Sequence, residues 1–287
     1  MSIPALASAY RLGVNPAWAA LNGVGTGAQP IFSRIPSAPV TGGTIADVWP
    51  GASLTTPILT RTLPVAGFTL GLVSDSANDA AGQSGALLVT VSYLDTNYTQ
   101  QTTNIVPTGT AIVTTTITNC LRINSAYVTS AGSGGANAGN IYVIDASTSA
   151  PSGIPSTTTK VFDVIPVGYN ADGLGMYTVP NGYTALLSHI TTGVTNGTAT
   201  TYEGRVRVGI AIYVGVPGAG TLLPFQWFPI ASPGSGTPND DYRFDMPLEI
   251  PAGSEIRFQA TSTPLGAEIV VVAELLLATF ANTSNSP

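Results

Sequence analysis

Charged side chains are scarce in this chain of 287 residues. Asp, Glu, Lys and Arg together make up 8% of it, against roughly 25% in an ordinary soluble domain. Nine basic residues, among them the single lysine Lys160, face fifteen acids, so the formal net charge is −6. Such a chain has no basic face to neutralise a phosphate backbone, and nucleic acid is therefore not expected as a direct partner.

Neutral polar residues take the place of the missing charges. Hydrophobic residues make up 44% of the chain, and most of the remaining polarity comes from Ser, Thr, Asn and Gly. A surface of short neutral side chains loses little hydration free energy when another protein covers it, because few charges must be stripped of water. The composition therefore favours a protein that packs into an assembly.

Histidine and cysteine each occur once, as His189 and Cys120. A single histidine excludes a multi-histidine metal site, and the sequence contains no G-x-S-x-G turn for a nucleophilic serine. The setting of Cys120 in TNCLRI predicts a small buried residue on a strand rather than a reactive thiol. We therefore predict no enzymatic activity and no cofactor or metal, with His189 as a hydrogen-bonded strand residue.

Long apolar runs are also missing. The longest, 269–280, is interrupted by Glu274 and is shorter than the roughly 20 residues that a membrane-spanning helix needs. The N-terminus lacks the basic and apolar regions of a secretory signal. These features predict a protein made inside a cell, with no membrane partner.

Residues 1–64 differ from the rest of the chain. Proline and glycine recur throughout this region, no periodicity is sustained, and only 7–20 has the pattern of a short helix. Large aromatic residues stand alone at Trp18, Phe32 and Trp49. The pattern predicts an extended N-terminal arm with aromatic anchors, which packs either on the sheet of its own domain or on a neighbouring subunit.

The rest of the chain has the pattern of an all-β protein. Short runs rich in Val, Ile, Thr and Tyr alternate with Gly, Asn, Asp and Ser, as in antiparallel sheets. A Ser/Thr/Pro-rich connector at 146–160 separates two blocks of such runs. We predict antiparallel β-sandwich or jelly-roll-like domains at 65–150 and 151–287. The chain alone does not decide whether the two blocks share one core.

Two segments of the second block, TVPNGYTALL and EIPAGSEIRF, share a P-x-G motif. Proline fixes φ at the end of a strand, and glycine accepts a positive φ. The motifs centred on Pro180–Gly182 and Pro251–Gly253 thus predict turns between strands. They are either equivalent corners of one sandwich or the same local solution used twice.

Acidic residues cluster at two places, and each cluster has two interpretations, a metal site or a structural use of the carboxylates. In SDSANDAAGQSGAL, Asp75 and Asp79 supply oxygens but lack the register of an EF-hand loop, and Asx side chains also stabilise turns. We favour the turn and keep calcium as the alternative. Asp240 and Asp241 are adjacent, so on a strand they would point to opposite faces. We expect them in an exposed loop, with a calcium-type oxygen cluster as the alternative.

Aromatic residues cluster in the second block at 225–228, around Trp227. Exposed aromatics can stack on sugar rings, whereas a core or subunit contact is the more common use. We favour the contact, which adds Trp227 to the three predicted interaction anchors of the arm.

The segment from Ser74 to Val143 resembles a segment found in structural proteins of tailed bacteriophages. The shared features are an S-x-S-x-N-D turn, a strand ending in LD, a threonine-rich strand, and an R-I-N strand followed by a G-x-x-G-x-N-x-G hairpin. YTVPNGYTALL and PLEIPAGSEIRFQATS are similar to phage capsid-decoration, head-fibre and tail-associated β-domains. The resemblance covers roughly residues 65–280 and differs at Gln100 and Gln101, where an acidic residue is usual.

This resemblance implies a virion component without enzymatic activity, and no site residues can be carried over from it. The leading hypothesis is a capsid decoration or cement protein, a homotrimer whose arm lies across neighbouring subunits of the major capsid protein. Its location would be the capsid surface, after synthesis in the host cytoplasm. A tail, baseplate or head-fibre component and a receptor- or carbohydrate-binding module are the alternatives.

Overall fold

The computed structural model describes most of the chain after residue 46 and two short strands before it. The described residues are 29–34, 38–40, 46–54, 57–173, 175–196, 205–214, 221–222, 226–231, 239–261 and 267–278. Trp18 and the possible helix at 7–20 lie outside the described residues. Phe32 and Trp227 fall on strands whose backbone is described, and their side chains lie outside the description.

The described part of the chain is built from strands that all pair antiparallel. This confirms the all-β, antiparallel prediction. Short 3₁₀ helices lie at Pro50–Ser53, Pro151–Gly153 and Thr158–Lys160. The strands are β1 (Gln29–Arg34), β2 (Ala38–Val40), β3 (Ala46–Asp47), β4 (Leu70–Ser74), β5 (Ala86–Asp95), β6 (Gln100–Ile105), β7 (Val113–Thr114), β8 (Cys120–Ala131), β9 (Ile141–Asp145), β10 (Val161–Ile165), β11 (Met176–Thr178), β12 (Thr184–Asn196), β13 (Arg205–Val214), β14 (Thr221–Leu222), β15 (Gln226–Ala231), β16 (Asn239–Ile250), β17 (Glu255–Thr261) and β18 (Ala267–Ala278).

The C-terminal half forms a sandwich of two sheets. A five-stranded sheet has the order β1-β18-β12-β16, with β2 also on β18, and a six-stranded sheet has the order β11-β17-β13-β14, with β15 on β13 and β3 on β17. The chain crosses from one sheet to the other between β11 and β12, β12 and β13, β15 and β16, β16 and β17, and β17 and β18. This crossing pattern confirms the jelly-roll-like expectation.

The two P-x-G motifs form neighbouring corners of this sandwich. Gly182 and Gly253 have φ values of 82° and 74°, and each turn closes with a bond from the residue after glycine to the proline carbonyl. One turn leads from β11 to β12 and the other from β16 to β17. Backbone bonds join them, since Gly253 N donates to Val179 O at 2.9 Å. They are therefore equivalent corners of one sandwich.

The N-terminal half adds two further sheets, and one of them is buried on both faces. The four-stranded sheet has the order β10-β9-β4-β7, and the three-stranded sheet has the order β6-β5-β8. Along β9, Ile141 and Val143 pack into a core shared with the three-stranded sheet. Tyr142 and Ile144 point the other way, into the core of the C-terminal sandwich. The four-stranded sheet is thus a middle layer between two hydrophobic cores.

The two β blocks therefore share one core. The larger core cluster combines residues of both sandwich sheets with Val73, Tyr142 and Ile144 from the first block. Strand β10, beyond the connector, pairs with β9 before it. The division into domains at 150/151 stays a prediction.

The described parts of the arm pack on the chain's own body. β1 pairs with β18 from Gln29↔Leu277 to Arg34↔Val272, β2 pairs with the same strand, and β3 pairs with β17. Proline lacks an N–H for a ladder bond, which is tolerated at an edge. Both proline-containing arm strands, β1 and β2, lie at edges of the five-stranded sheet.

Candidate functional site in a buried charged seam

Charged residues gather inside the protein where the three-stranded sheet, the middle layer and the six-stranded sheet meet. We call this group the seam, and it consists of Arg61, Arg122, Arg257, Asp47, Asp163, Asp172 and Glu255. Three of the nine basic residues in the chain are thus placed in one internal cluster. No sequence motif links these residues, because they come from six separate segments of the chain.

An ion pair between Arg122 and Glu255 joins the two halves at the seam. Arg122 Nε lies 2.5 Å from Glu255 Oε1, and each side chain is 1% exposed. Arg122 Nη1 also donates to the carbonyls of Pro64 and Leu121, at 2.6 and 2.7 Å. Arg257 approaches the other carboxylate oxygen, with Nη2 3.4 Å from Glu255 Oε2. Glu255 is therefore held between two arginines, one from β8 and one from β17.

The arm contributes Arg61 and Asp47 to the seam, and Trp49 packs beside them. Trp49 is fully buried in the larger core and its Nε1 donates to Ile58 O at 2.7 Å. The guanidinium carbon of Arg61 lies 4.7 Å from the centroid of the indole ring, a cation–π geometry. Arg61 N donates to Asp47 Oδ2 at 2.8 Å. Burial lowers the pKa of Arg61, and the neighbouring carboxylates of Asp47 and Asp163 oppose that shift.

Asp163 and Asp172 form a carboxyl pair in the seam. Burial raises the pKa of Asp163, and burial together with the charge of Asp163 raises the pKa of Asp172 well above its usual range. Two adjacent carboxylates cannot both ionise cheaply, so such a pair shares a proton. Asp172 Oδ2 accepts from Ala126 N at 2.6 Å, and Asp163 Oδ1 accepts from Val164 N at 2.8 Å. The arrangement therefore lets Asp163 and Asp172 share one proton inside the folded protein.

Paired carboxyls also serve as acid and base in some hydrolases, where they must flank a substrate. Asp163 is 4% exposed, and Asp172 is tied by its side chain and backbone to Ala126 on β8. The pair thus braces the 166–172 loop against the three-stranded sheet.

The turn that contains Asp75 and Asp79 is the second polar centre. Asp79 is fully buried and accepts from Ser74 Oγ, Ala86 N, Ala138 N and Gly139 N at 2.6 to 2.9 Å. These donors come from both ends of the turn and from the hairpin before β9. The carboxylate therefore joins two loops and delivers β5 into its sheet, as the turn interpretation predicted.

Asp75 ties the same turn to β9. Its Oδ1 accepts from Asn140 N at 2.8 Å, and its Oδ2 accepts from Asn140 Nδ2 at 2.9 Å. Tyr142 Oη donates to the same Oδ2 at 3.2 Å, and burial together with the Asp75 charge raises the pKa of Tyr142. In the part of the chain that the structure describes, no group of three or more His, Cys, Asp or Glu side chains is arranged to hold a metal ion.

His189 lies on the five-stranded sheet between two carboxylates. Its Nε2 contacts Asp241 Oδ1 on β16, and its Nδ1 lies 3.7 Å from Glu274 Oε1 on β18. The prediction of a hydrogen-bonded strand histidine is confirmed. The hydrogen bond from His189, followed by one from Thr191, lowers the pKa of Asp241.

The expectation of an exposed loop at Asp240 and Asp241 is wrong. Both residues lie within β16 and pair with Thr192 and Thr191 of β12. Asp241 is exposed, with 51% of its side chain accessible, so its carboxylate lies on the solvent-facing side of β16. The strand that pairs with them, β12, lies about 50 positions earlier in the chain, so local sequence does not reveal the pairing.

Of the four predicted anchors, Trp49 is the one whose side chain the structure describes. Trp49 serves the chain's own core, and Cys120 is buried on β8 as expected. Trp18 lies outside the described residues, and Phe32 and Trp227 are placed by backbone alone. Contacts of Trp18, Phe32 and Trp227 with another protein stay predictions, as does sugar binding at Trp227.

Comparisons with known proteins give little further information. No protein-family model matches the chain, and no curated protein sequence matches it. Among solved structures, the infectious bursal disease virus Gx strain aligns over 89% of this chain and 73% of that one, with 11% identity and a TM-score of 0.21. The VP2 subviral particle of the same virus aligns over 88% and 76%, with 8% identity and a TM-score of 0.20. TM-scores this low carry no argument about fold or function.

Membrane crossing by a helix finds no support in the described residues, where no helix has the length and apolar character for it.

Proposed function

We propose that this chain is a non-enzymatic structural protein of a virus particle, and specifically a decoration or cement protein on the head of a tailed bacteriophage. Its partner in this proposal is the major capsid protein, and its own state is a homotrimer. The support comes from the resemblance of 74–143 to phage structural proteins, from the composition, and from what the seam does in the fold.

The seam carries the proposal. Arg122, Glu255 and Asp163 are buried where three sheets meet, and Asp172 is half-buried beside Asp163. The Arg122–Glu255 pair fixes the position of one sheet relative to another. Buried ionic groups of this kind add little net stability, but they penalise any other arrangement of the same sheets. We take this fixing of one sheet against another as support for a structural role.

The outer surface of the three-stranded sheet fits the same function. Gln100, Thr102 and Asn104 are exposed on β6, and Thr90 Oγ1 donates to Asn104 Oδ1 at 2.7 Å. These side chains are neutral and short enough to be covered without removing a charge from water. A partner surface of similar polarity would be held by shape and by hydrogen bonds.

The arm provides the proposed attachment. Because β1 to β3 and Trp49 belong to the chain's own body, we assign the capsid contact to the residues before β1, with Trp18 as the aromatic anchor. A buried aromatic anchor contributes on the order of 2 to 4 kcal/mol to an interface. Trp18→Ala should therefore weaken attachment while leaving the unfolding midpoint unchanged.

The copy number of the protein in purified particles tests this function directly. Quantitative mass spectrometry would give its ratio to the major capsid protein. A ratio of one, or a simple fraction of one, supports a lattice-wide cement protein. A few dozen copies per particle or fewer would place it at the tail or a vertex instead, and absence from the particle would overturn the virion function.

A further inference from the structure

Strand β6 forms an open edge of the three-stranded sheet. It pairs with β5 in a regular register from Val89↔Ile105 to Leu94↔Gln100, with no bulge. Within the described part of the chain, no strand pairs with its other side. Its sequence is QQTTNI, and every residue from 100 to 104 is exposed except Thr103, which is half-buried. As far as the described residues go, the edge therefore leaves a row of backbone donors and acceptors unpaired.

Open edges of this kind are usually protected, because they pair readily with other chains. Charges, prolines, bulges and covering segments are the common protective features. The other described edge strands of five residues or more each have at least one: Pro30 and Arg34 on β1, Asp163 and a bulge on β10, Pro229 on β15, and Asp241 and Arg243 on β16.

The opposite edge of the same sheet is covered along the middle of β8, at Ala126–Val128. Val128 N on β8 donates to Asn170 O at 2.7 Å, and Asp172 N donates to Ala126 O at 2.9 Å. Tyr127 also pairs with Ala171 as an isolated bridge. Among the residues that the structure describes, one edge of this sheet is covered in part and the other is uncovered.

The charge distribution identifies the partner that fits. The chain has a net charge of −6, so two copies repel each other unless they meet where no acid is exposed. β6 has no charged residue, and its Gln, Thr and Asn side chains both donate and accept hydrogen bonds. A basic partner would gain nothing from this edge, whereas an identical neutral edge matches it.

We propose that β6 is a docking edge for β6 of a second copy of this chain, the two strands pairing antiparallel across a two-fold axis. The two three-stranded sheets then form one continuous sheet of six strands. Such isologous pairing uses the same groups on both copies, and main-chain hydrogen bonds supply the affinity. The contact does not depend on where in a virus particle the protein sits.

The test uses the full chain with charges introduced at the middle of β6. Thr102→Lys and Thr102→Asp each bring two like charges together across the two-fold axis, which opposes pairing. We expect each variant to dissociate at a concentration about tenfold higher than wild type, measured by sedimentation velocity. An equimolar mixture of the two variants should regain the wild-type affinity, because opposite charges then face each other.

Matched controls separate this effect from general changes in charge. Thr159 is exposed in the 3₁₀ helix at Thr158–Lys160, so Thr159→Lys and Thr159→Asp should associate as wild type does. Circular dichroism should show an unchanged fold in all variants. If a trimer forms through other surfaces, wild type should form pairs of trimers and the Thr102 variants should stop at the trimer.

Three results would overturn the proposal. The first is a wild-type protein that shows no association through this edge at any accessible concentration. The second is self-association of the Thr102 variants at wild-type strength. The third is weakened variants whose mixture does not recover, which would show that the edge binds a different segment rather than a second β6.

Discussion

The guanidinium of Arg61 lies over the indole of Trp49, with its central carbon 4.7 Å from the ring centroid. Both side chains come from the region that the sequence marks as an extended arm, yet both are buried. An aromatic residue in a proline-rich segment therefore anchors the arm to its own domain. The contact also places a cation beside Asp47 and the Asp163–Asp172 pair.

Trp49→Ala should destabilise the fold by about 3 to 5 kcal/mol, because it leaves a large cavity in the shared core. Trp49→Phe should cost less, since it keeps a ring under Arg61 but leaves Ile58 O without its donor. Urea unfolding monitored by far-ultraviolet circular dichroism, a signal that does not rely on tryptophan fluorescence, gives the free energy of unfolding of both variants. A loss below 1 kcal/mol for Trp49→Ala would contradict the core assignment.

The Arg122–Glu255 pair should show strong coupling in a double-mutant cycle. Arg122→Met and Glu255→Gln each remove one member of this buried pair, so each should cost about 3 to 5 kcal/mol, and Arg257 still contacts Glu255 in the first variant. The double variant should cost clearly less than the sum of the two, because neither charge is then left alone. Denaturant unfolding of all four proteins gives the coupling energy, and simple additivity would show that the two side chains do not interact.

Asp79→Asn should destabilise the turn before β5 by about 3 kcal/mol or more. The amide group replaces an acceptor that serves several buried donors, and each lost partner costs roughly 1 to 3 kcal/mol. Asn78→Ala is the matched control, since that side chain is exposed in the same turn, and its effect should lie within about 0.5 kcal/mol. Equal effects of the two substitutions would argue against the role of Asp79.

The Asp163–Asp172 pair should make the folded state less stable as the pH rises. The raised pKa values of Asp163 and Asp172 mean that the folded state holds a proton that the unfolded state has released. Their contribution is fully present below the ordinary carboxyl pKa of about 4 and is lost as pH rises through the raised values. Melting temperature measured against pH should therefore fall across that range.

Asp172→Asn should flatten this dependence. An amide can accept from Ala126 N and donate to Asp163 without a titrating proton, so Asp163 is the one member of the pair that still titrates. Asp145→Asn is the control, because that carboxylate is partly exposed and pairs with Lys160 at 3.7 Å. A wild-type profile that Asp172→Asn leaves unchanged would assign the pH dependence to other groups.

Local chemistry in the sequence was enough to predict the strands, the corners and the acidic turn. Pro180–Gly182 and Pro251–Gly253 encode their turns in adjacent residues, and Asp75 and Asp79 act within a few residues of where they stand. Cys120 was also predictable, because a small apolar residue between strand formers is usually buried.

The seam was not predictable, because it depends on partners far apart in the chain. Arg122 and Glu255 are separated by 133 positions, and neither stands in a recognisable motif. Asp163 and Asp172 stand nine positions apart, and their pairing requires the 166–172 loop to fold back on β8. The setting of Asp241 was missed for the same reason.

The four-stranded middle layer couples the stability of the two hydrophobic cores. Its strands supply Leu70 and Leu72 to one core and Val73 to the other, so removing the cover from either face exposes apolar side chains of the same sheet. Unfolding of one core therefore exposes one face of the four-stranded sheet and destabilises the other core, which packs on the opposite face of that sheet. The protein is expected to resist force as a single cooperative unit and to fail all at once.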